Sequence, residues 1–396
     1  MNIEFSDNPA GRMATWWLRV MNTGDLSDTD ARELILPGAV PLFDLHTDPG
    51  RQGLSAFHEP ERPFRLASIE QEEPFRVQAS LEDRSGRHER LIVEVEPDRP
   101  HRIVMAVVVP RLDRDGDESE RPPSMTAAMT AAARASHRLW GGTPPVLDDE
   151  LAIRIIPDVI AEQVRTGPPV GPAAAGALMI VVRSRYAEDA LFEAIGRGTT
   201  QYVVLGAGLD TFAYRNTRRL PDLRIFEVDE PASQRWKRAR LAAAGIPEPP
   251  SLTYVPVDLA TQHLDQRLLA AGLDPAAAVF FSWLGVVYYL NQEAIEATLR
   301  FISTCGPGTE AVLDYMDPSL DDAVPAAARM TSGFGEPLIS KFTPAQIRDV
   351  IERVGMDVVR DLTPGDAATE YFAGRLDGVV PTGQIRVLHI ADARRK

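Results

Sequence analysis

Residues 201–215, QYVVLGAGLDTFAYR, decide the fold of this chain. Residues 202–205 are a continuous apolar run rich in β-branched and aromatic side chains, which is typical of a strand covered on both faces in a parallel sheet. Gly206 and Gly208 follow, and glycines let the backbone turn sharply and approach a ligand closely. The helix expected next offers its N-terminal N–H groups to that ligand. Since such glycines also occur in ordinary strand-to-helix turns, the interpretation depends on the acids that follow.

Two further strands end in acids. Residues 224–229, RIFEVD, place acids about 20 residues beyond the glycines, where a carboxylate would hold both hydroxyls of a ribose. Asp229 is the better candidate for this role and Glu227 the second. Residues 252–259, LTYVPVDL, end in Asp258, which could accept from an adenine amino group, and in Leu259, which could lie on the adenine ring.

A fourth unit, residues 278–290 (AVFFSWLGVVYYL), leaves its strand at Ser282 and Trp283 and continues into an aromatic loop. The ligand-type residues of all four units follow the carboxyl ends of their strands. Such sheets bind ligands in the crevice beyond those ends. The sequence therefore predicts an α/β fold with a mostly parallel, Rossmann-like sheet and one cofactor crevice.

The ordered motifs resemble those of the leucine carboxyl methyltransferase family, which contains class I S-adenosylmethionine-dependent O-methyltransferases, some of them acting on polyketide-type natural products. The resemblance covers residues 124–391 and rests on the runs RSRY at 183–186, LGAGLDT at 205–211, EVDEP at 227–231, VDL at 257–259 and WLGVVYYL at 283–290. It implies a class I methyltransferase fold with a helical lid. Many members carry Glu where this chain has Leu284, a departure that bears on the substrate.

By this resemblance the cofactor is S-adenosyl-L-methionine. Arg183 would hold its carboxylate, the two glycines its methionine part, Asp229 its ribose, and Asp258 with Leu259 its adenine. The full set of predicted cofactor-binding residues is Arg183, Gly206, Ala207, Gly208, Glu227, Asp229, Asp258, Leu259 and Ser282.

Composition limits the class of protein. The 396 residues exceed the roughly 250 to 300 at which single cores stop growing, so two domains are expected. A formal net charge of −15 disfavours nucleic acid and anionic membrane surfaces as partners. The single cysteine, Cys305, excludes a disulfide framework within the chain. Because neither a signal peptide nor a long apolar run is evident, a cytoplasmic location is expected.

Residues 1–110 are predicted to form a separate α+β domain. A helix at 14–20, a second helix capped by Ser27, and strands at 75–81, 90–96 and 101–109 weakly resemble the nuclear-transport-factor-like domain. Its histidines match no metal-site spacing. This accessory domain is expected to form a homodimer or to cover the substrate. Residues 111–123 are a charged, proline-ended linker, and residues 124–396 are the methyltransferase domain.

Several side chains are candidates for contacting the acceptor. Residues 124–140 are predicted to form a lid helix, and its Arg134 and Arg138 could contact an acidic substrate, although a solvated polar face is an equal alternative. Trp283, Tyr288, Phe334 and Tyr371 could line the acceptor pocket, with core packing as the alternative. Trp283 and Tyr288 would position the reactants, and no general base and no metal ligand is assigned.

The predicted reaction is methylation of a small-molecule carboxylate. A carboxylate, with a pKa of about 4, is already ionised at neutral pH and needs no base, whereas a phenol or enol, nearer about 10, usually needs one. Methylation of a phenol or enol hydroxyl therefore remains an alternative, as does cofactor binding without turnover. A nicotinamide-dependent oxidoreductase is disfavoured because its fingerprint requires a third glycine where this chain has Thr211.

Overall fold

A computed structural model describes residues 3–40, 63–110, 124–168, 172–216, 220–259, 262–319, 331–332, 336–373 and 388–395. These residues form two compact units. One contains the described residues up to 110, together with 172–174 and 331–332, and the other contains the remaining described residues from 124 onward. The predicted linker at 111–123 lies outside the described residues, so the predicted domain boundaries stay a prediction.

The first unit is α+β. Its helices are α1 (Pro9–Thr23) and α2 (Asp28–Leu34), and its strands are β1 (Ile35–Val40), β2 (Arg65–Glu73), β3 (Arg76–Glu82), β4 (His88–Val95) and β5 (Ile103–Pro110). The sheet order is β1-β5-β4-β3-β2, with β1 parallel to β5 and the other pairs antiparallel. Both helices and β3 to β5 confirm the sequence-based expectation, whereas β1 and β2 were not predicted.

Local side chains explain the ends of these elements. Ser27 accepts from the backbone N–H of Asp30 at 3.0 Å and so caps α2, as the sequence predicted. Asp83 accepts from the backbone N–H groups of Ser85 and Arg87, which closes the β3–β4 hairpin. The core of this unit forms where Trp17 of α1 packs with the alternating apolar side chains of the sheet.

The second unit contains a seven-stranded sheet. Its strands are β6 (Gln201–Leu205), β7 (Arg224–Asp229), β8 (Leu252–Pro256), β9 (Val279–Trp283), β10 (Glu310–Met316), β11 (Asp357–Leu362) and β12 (Leu388–Arg394). Their order is β11-β12-β10-β9-β6-β7-β8. The strands β10, β9, β6, β7 and β8 are parallel, while β12 is antiparallel to both of its neighbours. The predicted mostly parallel, Rossmann-like sheet is confirmed, and β11 and β12 close one side of it as an antiparallel pair.

The helices from residue 124 onward are α3 (Met125–Trp140), α4 (Ala152–Ile155), α5 (Asp158–Thr166), α6 (Pro172–Gly196), α7 (Phe212–Asn216), α8 (Pro231–Ala243), α9 (Leu264–Ala270), α10 (Gln292–Thr304), α11 (Pro344–Arg353) and α12 (Pro364–Phe372). A 3₁₀ turn covers Val287–Tyr289. The helix α12 was not predicted from the sequence. Among the helices that the structure describes, none combines the length and apolar character needed to cross a bilayer.

The core of the second unit surrounds β6 and β9. Every residue of both strands is buried, as continuous apolar runs in a parallel sheet require. Trp283 at the end of β9 is 0% exposed and packs within this core. The carboxyl ends of the parallel strands therefore lie together at one edge, here called the carboxyl edge of the sheet.

A test of this packing comes from Gly206, which follows β6 with a φ of +67°. A Cβ added there would lie 2.2 Å from Cγ2 of Val286. We expect Gly206→Ala to lose about 1 to 2 kcal/mol of unfolding free energy from the left-handed backbone. Overpacking against Val286 should cost a further ~1 to 3 kcal/mol. Urea denaturation measures the sum.

Gly245 is the matched control, because its φ is +66° but nothing lies within 4 Å of an added Cβ. Gly245→Ala should show the backbone cost alone. Adding Val286→Ala to Gly206→Ala should recover part of the loss. Equal destabilisation at both glycines, without recovery, would show that the Val286 contact is not limiting.

Candidate functional site

The turn after β6 has the geometry that its glycines predicted. Gly206 and Gly208 both have positive φ, at +67° and +46°. Between them, the backbone N–H of Ala207 donates to the Val228 carbonyl at 3.0 Å and so holds the turn against β7. A Cβ on Gly208 would lie 3.4 Å from Cβ of Ala127, which places α3 beside this turn. The two glycines thus allow neighbouring elements to approach the backbone.

Asp229, the last residue of β7, faces the glycine turn. Its carboxylate accepts from the backbone N–H of Gly208 and, at 2.6 Å, from that of Glu230. Burial raises the pKa of Asp229 to about 6, although both N–H groups favour the ionised form. A carboxylate that is half-buried and already beside Gly208 is well placed to accept from ligand hydroxyls at the carboxyl edge.

The surroundings of Glu227, the second candidate for the ribose, differ from those of Asp229. Its carboxylate accepts from Nζ of Lys237 at 2.6 Å, and both side chains are only 1% exposed. Burial raises the pKa of Glu227 to about 7 despite the lysine charge. Of the two acids on β7, the structure brings only Asp229 to the glycine turn, because the Glu227 carboxylate is paired inside the protein.

Asp258 and Leu259 follow β8 at the same edge. Both are half-buried, and the segment is held by the Gln262 side chain, whose Oε1 accepts from the Asp258 backbone N–H at 3.3 Å. Leu259 packs against the core of the sheet. Their partial exposure leaves them accessible to a ligand that lies across the ends of β6, β7 and β8.

The β9 residues are less accessible. The Ser282 hydroxyl lies 2.9 Å from the Tyr202 hydroxyl and is 3% exposed. Trp283 has no exposed surface. These positions fit the core-packing alternative, and a contact of either residue with cofactor or acceptor stays a prediction.

Arg183, on α6, belongs to a buried polar cluster with Asp314 and Tyr288. Its Nη1 donates to Oδ2 of Asp314 at 2.5 Å and to the Tyr288 hydroxyl at 3.3 Å. Asp314 was missed from the sequence, although an acid inside the apolar run of β10 is itself a signal, since buried charges need partners. Burial raises the pKa of Tyr288 to about 12, so its hydroxyl stays protonated at neutral pH.

Nε of Arg183 is buried and has no hydrogen-bond partner among the residues that the structure describes. Buried polar groups in proteins normally have partners. An anionic group of a bound cofactor would provide one. The cluster therefore fits the carboxylate that the resemblance assigned to this arginine.

The predicted lid residues of α3 are mostly engaged in structural contacts. Arg134 is buried and donates to Asp149 at 2.9 Å and to the Leu209 carbonyl at 2.6 Å. Arg138 is exposed and forms an ion pair with Asp148. The structure thus uses Arg134 to hold α3 against the turn after β6, while Arg138 stays accessible. Substrate binding by either residue stays a prediction.

The remaining acceptor candidates lie elsewhere or outside the described residues. Tyr371 is half-buried on α12, and burial, with Asp189 nearby, raises the pKa of its hydroxyl. Phe334 lies outside the described residues. Among those that are described, no group of three or more His, Cys, Asp and Glu side chains is arranged to hold a metal ion.

Comparison with known proteins agrees with the motifs. The family described as leucine carboxyl methyltransferase matches residues 127–303. The putative S-adenosyl-L-methionine-dependent methyltransferase YktD of Bacillus subtilis is 30% identical over 296 residues, which are 67% of this chain and 97% of that protein. A putative methyltransferase of the same description from Streptomyces coelicolor is 34% identical over 189 residues, 47% of this chain and 59% of that protein.

Among solved structures, a DUF574 family protein from Streptomyces avermitilis is similar with a TM-score of 0.45 and 17% identity, over 67% of this chain and 97% of that one. The sequence match to YktD spans nearly the whole of that relative and two thirds of this chain. The chain belongs to the leucine carboxyl methyltransferase family of S-adenosyl-L-methionine-dependent methyltransferases.

Proposed function

We propose that this protein binds S-adenosyl-L-methionine at the carboxyl edge of the sheet and transfers its methyl group to an oxygen atom of a small molecule. The observation that carries this proposal is the Asp229 carboxylate beside the Gly208 N–H. Asp229 would hold the ribose, Asp258 and Leu259 the adenine, and Arg183 the carboxylate of the methionine part. The cofactor supplies a methyl group on a positively charged sulfur.

The proposed acceptor is a carboxylate, such as that of a polyketide-type natural product. Transfer from a sulfonium to an oxygen anion needs alignment and exclusion of water more than strong charges, because opposite charges partly cancel on the way to the transition state. A carboxylate is already ionised at neutral pH and needs no base. Tyr288, with its raised pKa, would not serve as one. The carboxyl acceptor in the family's description supports the same choice.

A hydroxyl acceptor is the second candidate, and one observation favours it. Glu336 accepts from the Thr126 hydroxyl at the start of α3. Burial raises the pKa of Tyr288 and Tyr289, and the charge of Glu336 adds to this effect at both. A carboxylate near these tyrosines could take the proton of a phenol or enol. Turnover with phenols that is lost in Glu336→Gln, alongside no turnover with carboxylates, would favour this alternative.

Three features stay predictions from the sequence, namely the N-terminal domain, a homodimer formed through it and a cytoplasmic location. The expectation that the protein binds neither nucleic acid nor membranes also stays a prediction.

The cofactor assignment is tested by isothermal calorimetry with S-adenosylmethionine. We expect Asp229→Ala to weaken binding at least about 100-fold, because each of two hydrogen bonds to a charged acceptor contributes about 1.5 to 3 kcal/mol. Asp222→Ala, which removes an exposed acid in the turn before β7, should bind like the wild type. Unchanged affinity in folded Asp229→Ala would remove the ribose assignment, and binding of NADH instead would change the class of enzyme.

The raised pKa of Asp229 predicts a pH dependence of cofactor affinity. Only the ionised carboxylate accepts from both ribose hydroxyls, and this form predominates above a pKa of about 6. Affinity should therefore be constant above pH 7 and fall by up to about tenfold per pH unit below 6. Titrations of wild type and Asp229→Asn between pH 5 and 8 measure this, and the variant should show a flatter profile. The same steep fall in Asp229→Asn would assign the dependence to another group.

A further inference from the structure

The two edges of the Arg183 guanidinium have different surroundings. Nη1 is held by Asp314 and by the Tyr288 hydroxyl. Nε is buried without a partner among the described residues, and no hydrogen bond from Nη2 to a described residue is present. Nε and Nη2 together form the fork with which arginine binds a carboxylate through two parallel hydrogen bonds. One edge is therefore fixed within the protein and the other can take a ligand.

Asp314 fixes more than the arginine. It is 0% exposed, and its second oxygen, Oδ1, accepts from the backbone N–H of Gly285 at 2.6 Å. Gly285 belongs to the loop that follows β9 at the carboxyl edge. One carboxylate thus joins α6, β10 and this loop. Asp314 lies one residue beyond Leu313, which is opposite Trp283 in the sheet, and so stands at the level where β9 ends.

Gly285 leaves the Nη2 side of this edge uncrowded. Its φ is +78°, and an added Cβ would lie 2.8 Å from Nη2 of Arg183. Any other residue would therefore press on the nitrogen that the ligand needs. The absence of a side chain at 285 and the carboxylate at 314 thus both affect the same guanidinium, the first at Nη2 and the second at Nη1.

We propose that Asp314 is a positioning residue, which orients Arg183 so that its Nε and Nη2 edge receives the carboxylate of the cofactor's methionine part. This inference rests on the proposed function. The ammonium group that accompanies the ligand carboxylate balances its charge, so the buried Asp314 does not repel the methionine part as a whole. Without Asp314, the guanidinium keeps its charge but loses its orientation and one counter-charge.

The test compares two ligands by calorimetry. S-adenosylhomocysteine contains the amino-acid carboxylate, and 5′-methylthioadenosine lacks it while retaining adenosine. We expect Asp314→Asn to weaken S-adenosylhomocysteine about tenfold or more, the effect of one lost charge-assisted interaction. Binding of 5′-methylthioadenosine should change less than about twofold, because the proposed ribose and adenine contacts lie at the end of β7 and after β8.

Asp392→Asn is the matched control. Asp392 is also a buried acid that ties α6 to the sheet, since it accepts from the Tyr186 hydroxyl at 3.1 Å, but no contact with Arg183 is present. This variant should leave unchanged the ratio of the affinity for S-adenosylhomocysteine to the affinity for 5′-methylthioadenosine. Gly285→Ala provides a second test, because it crowds Nη2 without removing a charge, and it should reduce the same ratio.

The outcomes separate this inference from the proposed function. Wild-type protein that binds neither ligand would overturn both. Wild-type binding of both ligands, with equal losses in Asp314→Asn, would overturn only the positioning role. If Asp314→Asn does not fold, Gly285→Ala is the deciding variant. A reduced ratio supports the Nε and Nη2 edge of Arg183 as the carboxylate site, and an unchanged ratio refutes it.

Discussion

The close approach of the Gly206 backbone to the Val286 side chain is the contact on which the arrangement of the carboxyl edge depends. A Cβ on Gly206 would overlap Val286, so only glycine lets the turn after β6 meet the loop after β9. This contact therefore fixes the turn after β6 and the loop after β9 relative to each other. The β6 side presents Gly208 to Asp229, and the β9 side presents Gly285 to Asp314.

Buried charge pairs fix the positions of three helices. Arg183 of α6 and Lys237 of α8 bind the strand residues Asp314 and Glu227, and Arg134 of α3 binds Asp149 in the segment before α4. Taking two charges out of water is costly, and their attraction offsets this only when geometry and additional hydrogen bonds are favourable. Each pair therefore fixes the position of one helix, while Arg183 keeps an Nε that has no hydrogen-bond partner among the described residues. The Asp229 carboxylate accepts from backbone N–H groups and can also accept from a ligand.

The sequence was most informative where burial dictates the pattern. The apolar runs of β6 and β9 and the glycines after β6 predicted a strand and a turn because parallel strands covered on both faces leave few alternatives. Side-chain partners could not be predicted in the same way. Glu227 and Asp229 are two residues apart on one strand, yet one pairs with Lys237 on α8 and the other with backbone N–H groups. These partners depend on tertiary packing.

The same reasoning explains the elements that were missed. The half-exposed β2 has a mixed burial pattern without the clear alternation that marks a strand, and α12 is short. Asp314 interrupts an apolar run, which indicated a strand but not that the acid's partner lies 131 positions earlier in the chain. Contacts of such separation are set by topology and have no local signature.

The position of β12 has a consequence for how the protein is made. Residues 388–394 lie between β10 and β11 and pair with both. During synthesis these two strands emerge first and cannot reach their final places until the strand between them has been translated. An open side of β10 exposes unpaired N–H and C=O groups in the meantime, which other chains can use as a template. The strand β12 follows the other strands of this sheet in the chain and completes it by insertion between two of them. A nascent chain that stalls before β12 would carry two strands with unpaired edges.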